Sequence, residues 1–264
     1  MAALVLLLIV FLAICFFVLA PIMRWVQKRK IKAGVHSVNL EANMNYQAKL
    51  NAKALADELD TRYVRTDATN TEDVNAALAE AESLGPLRIS VDAHGGPASG
   101  GRLIGKDGSP LDLDGFKTTI DVYLTGVFNV LRLAAAAIAR QQPVDEGARG
   151  VIINTASIAA YEGQIGQLPY AAAKGGVVGM TLVAARDLSP LGIRVVTIAP
   201  GTFLTPAYGK AGDQLETYWG PQVPFPKRMG RSPEYGAFVQ SIVENDYLNG
   251  EVIRLDGALR FPPK

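Results

Sequence analysis

Short apolar segments alternate with longer helical segments along most of this 264-residue chain, and this alternation is what most limits its fold. A helix between two strands carries the chain back to the starting edge of the sheet, so successive strands run parallel. The pattern therefore predicts an α/β protein, with a doubly wound parallel sheet in a single domain. The predicted strands are residues 35–40, 62–66, 87–91, 151–154, a segment ending at residue 199, and 251–255.

Helices are predicted between these strands. Residues 71–83 begin with Thr-Glu-Asp, which is typical of a helix N-terminus, and continue with alanines. Residues 95–115 are rich in Gly, Ser and Asp and are predicted to form a loop. Residues 202–227, rich in Pro and Gly, are predicted to cover the site. The other predicted helices are residues 46–59, 116–141, a helix that opens near Tyr170, and 233–244.

Ser157, Tyr170 and Lys174 are the candidate catalytic residues. Tyr170 and Lys174 are four residues apart in LPYAAAKGG, so on a helix their side chains share one face. An ammonium beside a phenol favours the phenolate and lowers the Tyr pKa, which makes the phenol a usable base. Ser157 follows an apolar strand, where its hydroxyl can hold a substrate oxygen while Tyr170 transfers a proton.

Two stretches resemble the short-chain dehydrogenase/reductase family: RGVIINTASIAAYEGQIGQLPYAAAKGGVVGMTLVAARDLSPLGIRVVTIAPGTF and EYGAFVQSIVENDYLNGEVIRLDGALR. The resemblance is strong over residues 149–260 and fair over residues 52–140. It implies a Rossmann-type domain and an oxidoreductase that interconverts a secondary alcohol and a ketone. In that reading Tyr170 is the general acid/base, Lys174 also holds the nicotinamide ribose, and Ser157 binds the substrate oxygen.

The resemblance also implies where a dinucleotide binds. Glu41 stands where the family has an acidic residue after the second strand, and a carboxylate there favours NAD because it repels the 2′-phosphate of NADP. Gly95 matches the glycine of the family's Asn-x-Ala-Gly segment. The other implied cofactor contacts are Asp67 and Ala68 at the adenine, Tyr170 and Lys174 at the ribose, and Pro200, Gly201 and Thr205 near the nicotinamide.

Substrate and assembly are likewise implied by the resemblance. It favours a small hydroxy or keto substrate of the 3-hydroxyacyl-CoA or hydroxysteroid class, with Gln164 and Gln167 of the QIGQ segment at the substrate. Family members commonly form tetramers through the long helix and the Tyr/Lys helix. A homo-oligomer, most simply a homotetramer, is therefore expected.

Several positions depart from the family pattern. The glycine-rich phosphate loop should fall at residues 15–23, where this chain reads CFFVLAPIM. The Asn-x-Ala-Gly segment reads Asp-Ala-His-Gly, and the catalytic Asn of the long helix is replaced by Tyr123. These departures leave open an alternative, a catalytically dead, membrane-anchored scaffold that has lost its nucleotide-binding loop.

The N-terminal apolar run has two interpretations. Residues 2–20 are long enough to cross a bilayer, and the basic cluster that follows predicts a membrane anchor with the domain facing the cytoplasm. Residues 1–32 then form the anchor and its flank, and residues 33–264 form the dehydrogenase-like domain. In the alternative, residues 4–11 are a buried first strand, residues 22–32 are the first helix, and the protein is soluble and cytoplasmic.

Composition excludes other classes. The net charge is +1 with acids and bases interspersed, so nothing indicates nucleic-acid binding. The single cysteine, Cys15, excludes an intrachain disulfide and a cysteine-ligated zinc site. The two histidines, His36 and His94, are too few and too far apart to predict a metal site, and each is interpreted as a structural or surface residue.

Overall fold

The computed structural model describes the backbone of Val5–Val10 and Val35–Leu40, residue 56, and residues 61–95, 98–205 and 211–264. Within these ranges seven parallel strands form one sheet in the order β3-β2-β1-β4-β5-β6-β9. This confirms the predicted doubly wound parallel sheet. The strands are β1 Val5–Val10, β2 Val35–Leu40, β3 Arg65–Thr66, β4 Leu87–Asp92, β5 Gly150–Thr155, β6 Ile193–Pro200, β7 Phe203–Leu204, β8 Gly230–Arg231 and β9 Val252–Leu255; β7 and β8 form a separate parallel pair.

Six α-helices lie in the described part of the chain. They are α1 Thr71–Glu82, α2 Leu113–Ile120, α3 Gly126–Ala139, α4 Leu168–Leu188, α5 Gly212–Trp219 and α6 Ser232–Glu244. A five-residue π-turn, Asp121–Thr125, joins α2 to α3. The predicted helix at residues 46–59 lies outside the described residues, apart from the helical residue 56.

Side-chain caps decide where two helices begin. Asn70 accepts a hydrogen bond from the backbone N–H of Asp73, so α1 starts at the predicted position. Asp112 accepts from the N–H groups of Asp114 and Gly115, so α2 starts three residues before the predicted residue 116. The predicted loop at residues 95–115 is correspondingly shorter than expected.

Small side chains allow α1 and α3 to pack closely against the sheet. Ala77 and Ala81 of α1 share one buried cluster with Ala134 and Ile138 of α3 and with Ile152 of β5. Burial of a side chain as large as Ile138 or Ile152 contributes on the order of 1.5–3 kcal/mol. The segment at residues 202–227 also differs from its prediction, because it contains the helix α5 as well as irregular backbone.

The strand β1 occupies the centre of the sheet. It pairs in parallel with β2 on one side and with β4 on the other, for example Leu7 with His36 and with Ser90. A strand that exchanges backbone hydrogen bonds with two neighbours is not part of a membrane-spanning helix. The anchor interpretation of residues 2–20 is therefore not supported. The predicted helix at residues 22–32 and the predicted domain boundary at residue 32 lie outside the described residues.

The strand order reverses between β1 and β4. From β1 the chain winds outward to β2 and β3, and it then crosses to β4, β5, β6 and β9 on the other side. Connections therefore leave the carboxyl ends of β1 and β4 in opposite directions, which opens a crevice at that edge. The residues that end or follow β3, β4, β5 and β6 all lie at this edge.

Candidate active site

Ser157 lies two residues beyond β5 at the carboxyl edge of the sheet. Its side-chain oxygen accepts a hydrogen bond from the N–H of Ala159 at 3.1 Å and caps the single 3-10 turn Ile158–Ala160. The side chain is half-buried, and α4 packs against this turn. One lone pair and the hydroxyl proton of Ser157 thus remain available for a substrate oxygen.

The segment after Ser157 is anchored by ion pairs. Arg254 of β9 donates two hydrogen bonds to the carboxylate of Glu162, at 2.7 and 2.8 Å, and one to Asp256 at 2.7 Å. Paired charge-assisted bonds hold both position and orientation. They raise the pKa of Arg254 above its ordinary value, chiefly through the hydrogen bond to Glu162. The loop that carries Ser157 is therefore attached to the last strand of the sheet.

Tyr170 and Lys174 stand in the first two turns of α4, as their spacing predicts. The Nζ of Lys174 donates to the backbone carbonyl of Thr155 at 2.7 Å, and the side chain is buried. Tyr170 is half-buried, with its ring centroid 5.9 Å from the Lys174 nitrogen. The structure thus brings the phenol and the amine together beside the end of β5.

Burial lowers the pKa of Lys174 from 10.5 to about 8. The loss of water disfavours the ammonium, and the negative charge of Asp92 only partly opposes this effect. An amine with a pKa near neutrality is strongly perturbed, which is typical of catalytic groups.

Tyr123 takes part in this cluster although it replaces the family's asparagine. Its ring meets the Tyr170 ring edge to face, with centroids 5.0 Å apart, and the Lys174 nitrogen lies 5.2 Å from its centroid. Tyr123 belongs to the π-turn Asp121–Thr125, and such turns are frequent at functional sites. Lys174 is thus held against the faces of two aromatic rings.

Asp92 and His94 were not predicted as site residues, and the structure shows them buried beside the site. His94 was interpreted as structural or surface; its Nδ1 lies 2.6 Å from Asp92 Oδ1, and its Nε2 lies 2.5 Å from the carbonyl oxygen of Val122. The spacing of an acid and a histidine at a strand end was the available signal. Burial raises the pKa of Asp92, but the charge and hydrogen bonds of His94, with a contribution from Lys174, hold it below its ordinary value.

The residues predicted for the adenine side follow β3 and β4. Asp67 accepts hydrogen bonds from the N–H and the hydroxyl of Thr69, and the carbonyl of Ala68 accepts from the side chain of Asn129 at 2.8 Å. Gly95 follows His94 at the end of β4, and a Cβ added to it would lie 3.9 Å from the hydroxyl of Tyr123. Glu41 and the expected phosphate loop at residues 15–23 lie outside the described residues.

Pro200 and Gly201 form the turn at the end of β6. The N–H of Gly201 donates to the carbonyl of Leu255, and a Cβ at Gly201 would come within 2.9 Å of the Asp256 backbone. Thr205 is buried, and the Thr202 hydroxyl has no hydrogen-bond partner within the described ranges. A nicotinamide amide or phosphate oxygen is a fitting partner for such a hydroxyl, so this edge fits a dinucleotide.

Gln164 and Gln167 lie in the loop between Ser157 and α4. Gln167 accepts a hydrogen bond from the N–H of Gln164, whose side chain donates to the carbonyl of Pro262 at 3.2 Å. Both amides therefore support the loop and the C-terminal segment. Their contact with a substrate stays a prediction.

Comparison with known proteins agrees with this geometry. Residues 32–259 match the family model described as enoyl-(acyl carrier protein) reductase. The chain belongs to the short-chain dehydrogenase/reductase family, and it is an oxidoreductase enzyme.

The most similar relatives include 3-hydroxyacyl-CoA dehydrogenase type-2 of Bos taurus, 48% identical over 202 residues (76% of this chain, 77% of the relative). The Rattus norvegicus protein of that name is 44% identical over 237 residues (89% and 90%). The crystal structure of 3-hydroxyacyl-CoA dehydrogenase type-2 from Mycobacterium avium superposes with a TM-score of 0.86 at 44% identity, covering 100% of this chain and 98% of that one. The resemblance to the short-chain dehydrogenase/reductase family is confirmed, and the alternative of a dead scaffold is not supported.

The pKa of Lys174 predicts a pH dependence of stability. Between pH about 8 and 10.5 the unfolded chain holds this proton and the folded chain does not, so stability rises with pH. The full shift corresponds to about 3 kcal/mol. In Lys174→Met this contribution is absent. Urea unfolding at pH 7.5, 9 and 10.5 should therefore show the wild type gaining stability relative to Lys174→Met. A constant difference would show that Lys174 titrates normally.

Proposed function

We propose that this enzyme is an NAD-dependent dehydrogenase that interconverts a secondary alcohol and a ketone, with 3-hydroxyacyl-CoA substrates favoured over hydroxysteroids. One observation carries the proposal: Lys174 is buried against the carbonyl of Thr155 with the Tyr170 ring beside it, at the edge where Ser157 emerges. A phenol, a perturbed amine and a hydroxyl at one strand end suit proton transfer to a carbonyl oxygen.

In the proposed mechanism Tyr170 moves the proton. In the direction of reduction, the hydroxyls of Tyr170 and Ser157 donate hydrogen bonds to the ketone oxygen, and Tyr170 gives up its proton as the alcohol forms. The positive charge of Lys174 stabilises the phenolate that remains. In oxidation the phenolate of Tyr170 takes the alcohol proton. When bound, the nicotinamide supplies or accepts the hydride.

NAD is proposed on two grounds. The relatives are named dehydrogenases of a family that generally uses this cofactor. In the sequence, Glu41 stands after β2, where a carboxylate accepts hydrogen bonds from the ribose hydroxyls and repels a 2′-phosphate. Lys174 would hold the nicotinamide ribose, and the Pro200–Gly201 turn with Thr205 would hold the nicotinamide side.

The substrate class rests on the relatives. Proteins named 3-hydroxyacyl-CoA dehydrogenase type-2 match this chain at 44–48% identity over at least three quarters of its length. Ile165 in the loop that carries Gln164 and Gln167 and Leu168 at the start of α4 are exposed, and they line a groove with Leu103 and Ile104 that offers an acyl chain an apolar surface. A 3-ketoacyl-CoA is therefore the first substrate to test.

Turnover and cofactor binding test the proposal together. NADH should bind more tightly than NADPH when followed by fluorescence, and the enzyme should reduce a 3-ketoacyl-CoA. Tyr170→Phe should lower kcat by about 100-fold or more with a much smaller loss of NADH affinity, because the proton donor is lost while the other cofactor contacts remain. The fully exposed Tyr247→Phe is the control and should behave as wild type. Failure to bind either cofactor, or full activity in Tyr170→Phe, would refute the mechanism.

We propose that the protein forms a homotetramer through the exposed faces of α3 and α4. Phe128 of α3 and Val183 of α4 are 49% and 59% exposed. The apolar stretch Leu168–Leu191, which comprises α4 and the turn after it, is only 33% buried, so it presents an apolar surface for a partner subunit. Val183→Glu should shift the sedimentation of the protein toward the monomer. Tyr218→Glu, at a similarly exposed position in α5 (55%), should not. A monomeric wild type would contradict this assembly.

A cytoplasmic location is proposed on the basis of the role of β1. Because Val5–Val10 pairs with two strands of the sheet, we expect that the chain does not cross a membrane and that it is cytoplasmic. Membranes from cells that express the full chain should release it on alkaline carbonate extraction, while a known integral protein stays in the pellet. Retention with that marker would restore the anchor prediction.

A further inference from the structure

Asp92 and His94 form a buried cluster at the end of β4 that the proposed mechanism does not use. Both side chains are at most 2% exposed. Asp92 Oδ1 lies 2.6 Å from Nδ1 of His94 and also accepts a hydrogen bond from the His94 backbone N–H at 3.2 Å. On the far side of the ring, Nε2 lies 2.5 Å from the carbonyl oxygen of Val122. The imidazole is thus held between two oxygens.

The chemistry of these two partners determines the protonation of the ring. A carbonyl oxygen only accepts hydrogen bonds, and an ionised carboxylate only accepts them too. A neutral imidazole has a single N–H, so it satisfies both short contacts only if Asp92 is itself protonated, and the lowered pKa of Asp92 opposes that protonation. Only an imidazolium donates to both. Asp92 Oδ2 has no hydrogen-bond partner in the described part of the chain, so the charge of Asp92 depends largely on His94.

The position of the ring is built into the long helix. Gly126, the first residue of α3, lies against the His94 ring. A Cβ at Gly126 would lie 3.0 Å from Nε2 and 3.3 Å from Cε1 of His94. Val122, which receives the Nε2 contact, belongs to the π-turn and immediately precedes Tyr123. The glycine thus makes room for a ring that contacts the backbone next to Tyr123.

We propose that Asp92 and His94 form a buried ion pair that holds the π-turn in place and thereby positions Tyr123 against Tyr170 and Lys174. His94 is a positioning residue, because it acts through the carbonyl of Val122 and not on the substrate. The ion pair is independent of the proposed function, whereas its effect on turnover rests on that function.

The Asp92–His94 pair also affects the charge balance around the buried amine of Lys174. Among the described residues, Lys174 of α4 is the other charged group that acts on Asp92, and Tyr123 of the π-turn packs against Lys174. An aspartate that stays ionised provides a counter-charge for the buried Lys174, and the imidazolium prevents the carboxylate from taking up a proton.

The protonation state can be measured directly, because the chain has only two histidines. In His36→Gln protein labelled with 15N-histidine, His94 supplies the only imidazole signals. At pH 7 both ring nitrogens of His94 should carry protons, and adding Asp92→Asn should leave the ring with a single N–H. A neutral ring at pH 7 in the His36→Gln protein would overturn the ion pair, whether or not the protein has dehydrogenase activity.

The positioning role is tested by a double-mutant cycle. His94→Gln keeps a donor for Val122 but removes the charge, and it should lower kcat about 10-fold with little change in KM. In a Tyr123→Ala background the same substitution should cause no further loss of kcat, because its target is gone. The cycle is also read as Tm, where loss of the ion pair should lower Tm in both backgrounds but less in the Tyr123→Ala background. Additive effects in both readouts would overturn the positioning role and leave the NMR result standing.

Discussion

The desolvated amine of Lys174 is the interaction on which the rest of the site depends. An ammonium buried without compensation costs several kcal/mol. The protein offsets that cost with the carbonyl of Thr155, the negative charge of Asp92 and the faces of two tyrosine rings. Each of these partners belongs to a different element. The amine of Lys174 therefore has all of its partners only when β4, β5, the π-turn and α4 are folded together.

The parallel sheet makes this convergence possible. Because all seven strands run the same way, the residues after β3, β4, β5 and β6 reach a single edge, next to the reversal in strand order. The helix α6 also supports this edge of the sheet. The Thr155 hydroxyl donates to the carbonyl of Asp92 at 2.7 Å and lies 2.6 Å from the hydroxyl of Tyr235 in α6. Thr155 thus links β4 and α6 to its own backbone carbonyl, which accepts the hydrogen bond from Lys174.

The π-turn explains how an aromatic side chain fits where the family has asparagine. One extra residue in the turn interrupts the helix between Ile120 and Gly126. The carbonyl of Val122 is then bound by a buried histidine, and the Tyr123 ring faces Tyr170 and Lys174. The chain also departs from the family pattern at Asp92 and His94, and His94 contacts the carbonyl of Val122 next to Tyr123. That contact joins the end of β4 to the π-turn, and the two are close only in the folded protein.

Local signals in the sequence determined much of this protein. Alternating apolar strands and helices specified the parallel sheet, and the four-residue spacing of Tyr170 and Lys174 specified a shared helix face, because both depend on short-range periodicity. Tertiary structure decided what depends on distant contacts. The run at residues 2–20 suits a bilayer or a buried strand equally well by composition, and only pairing of Val5–Val10 with β2 and β4 distinguishes them. Likewise the lowered pKa of Lys174 and the contact of His94 with the carbonyl of Val122 arise from burial and from residues distant in sequence, which no local spacing encodes.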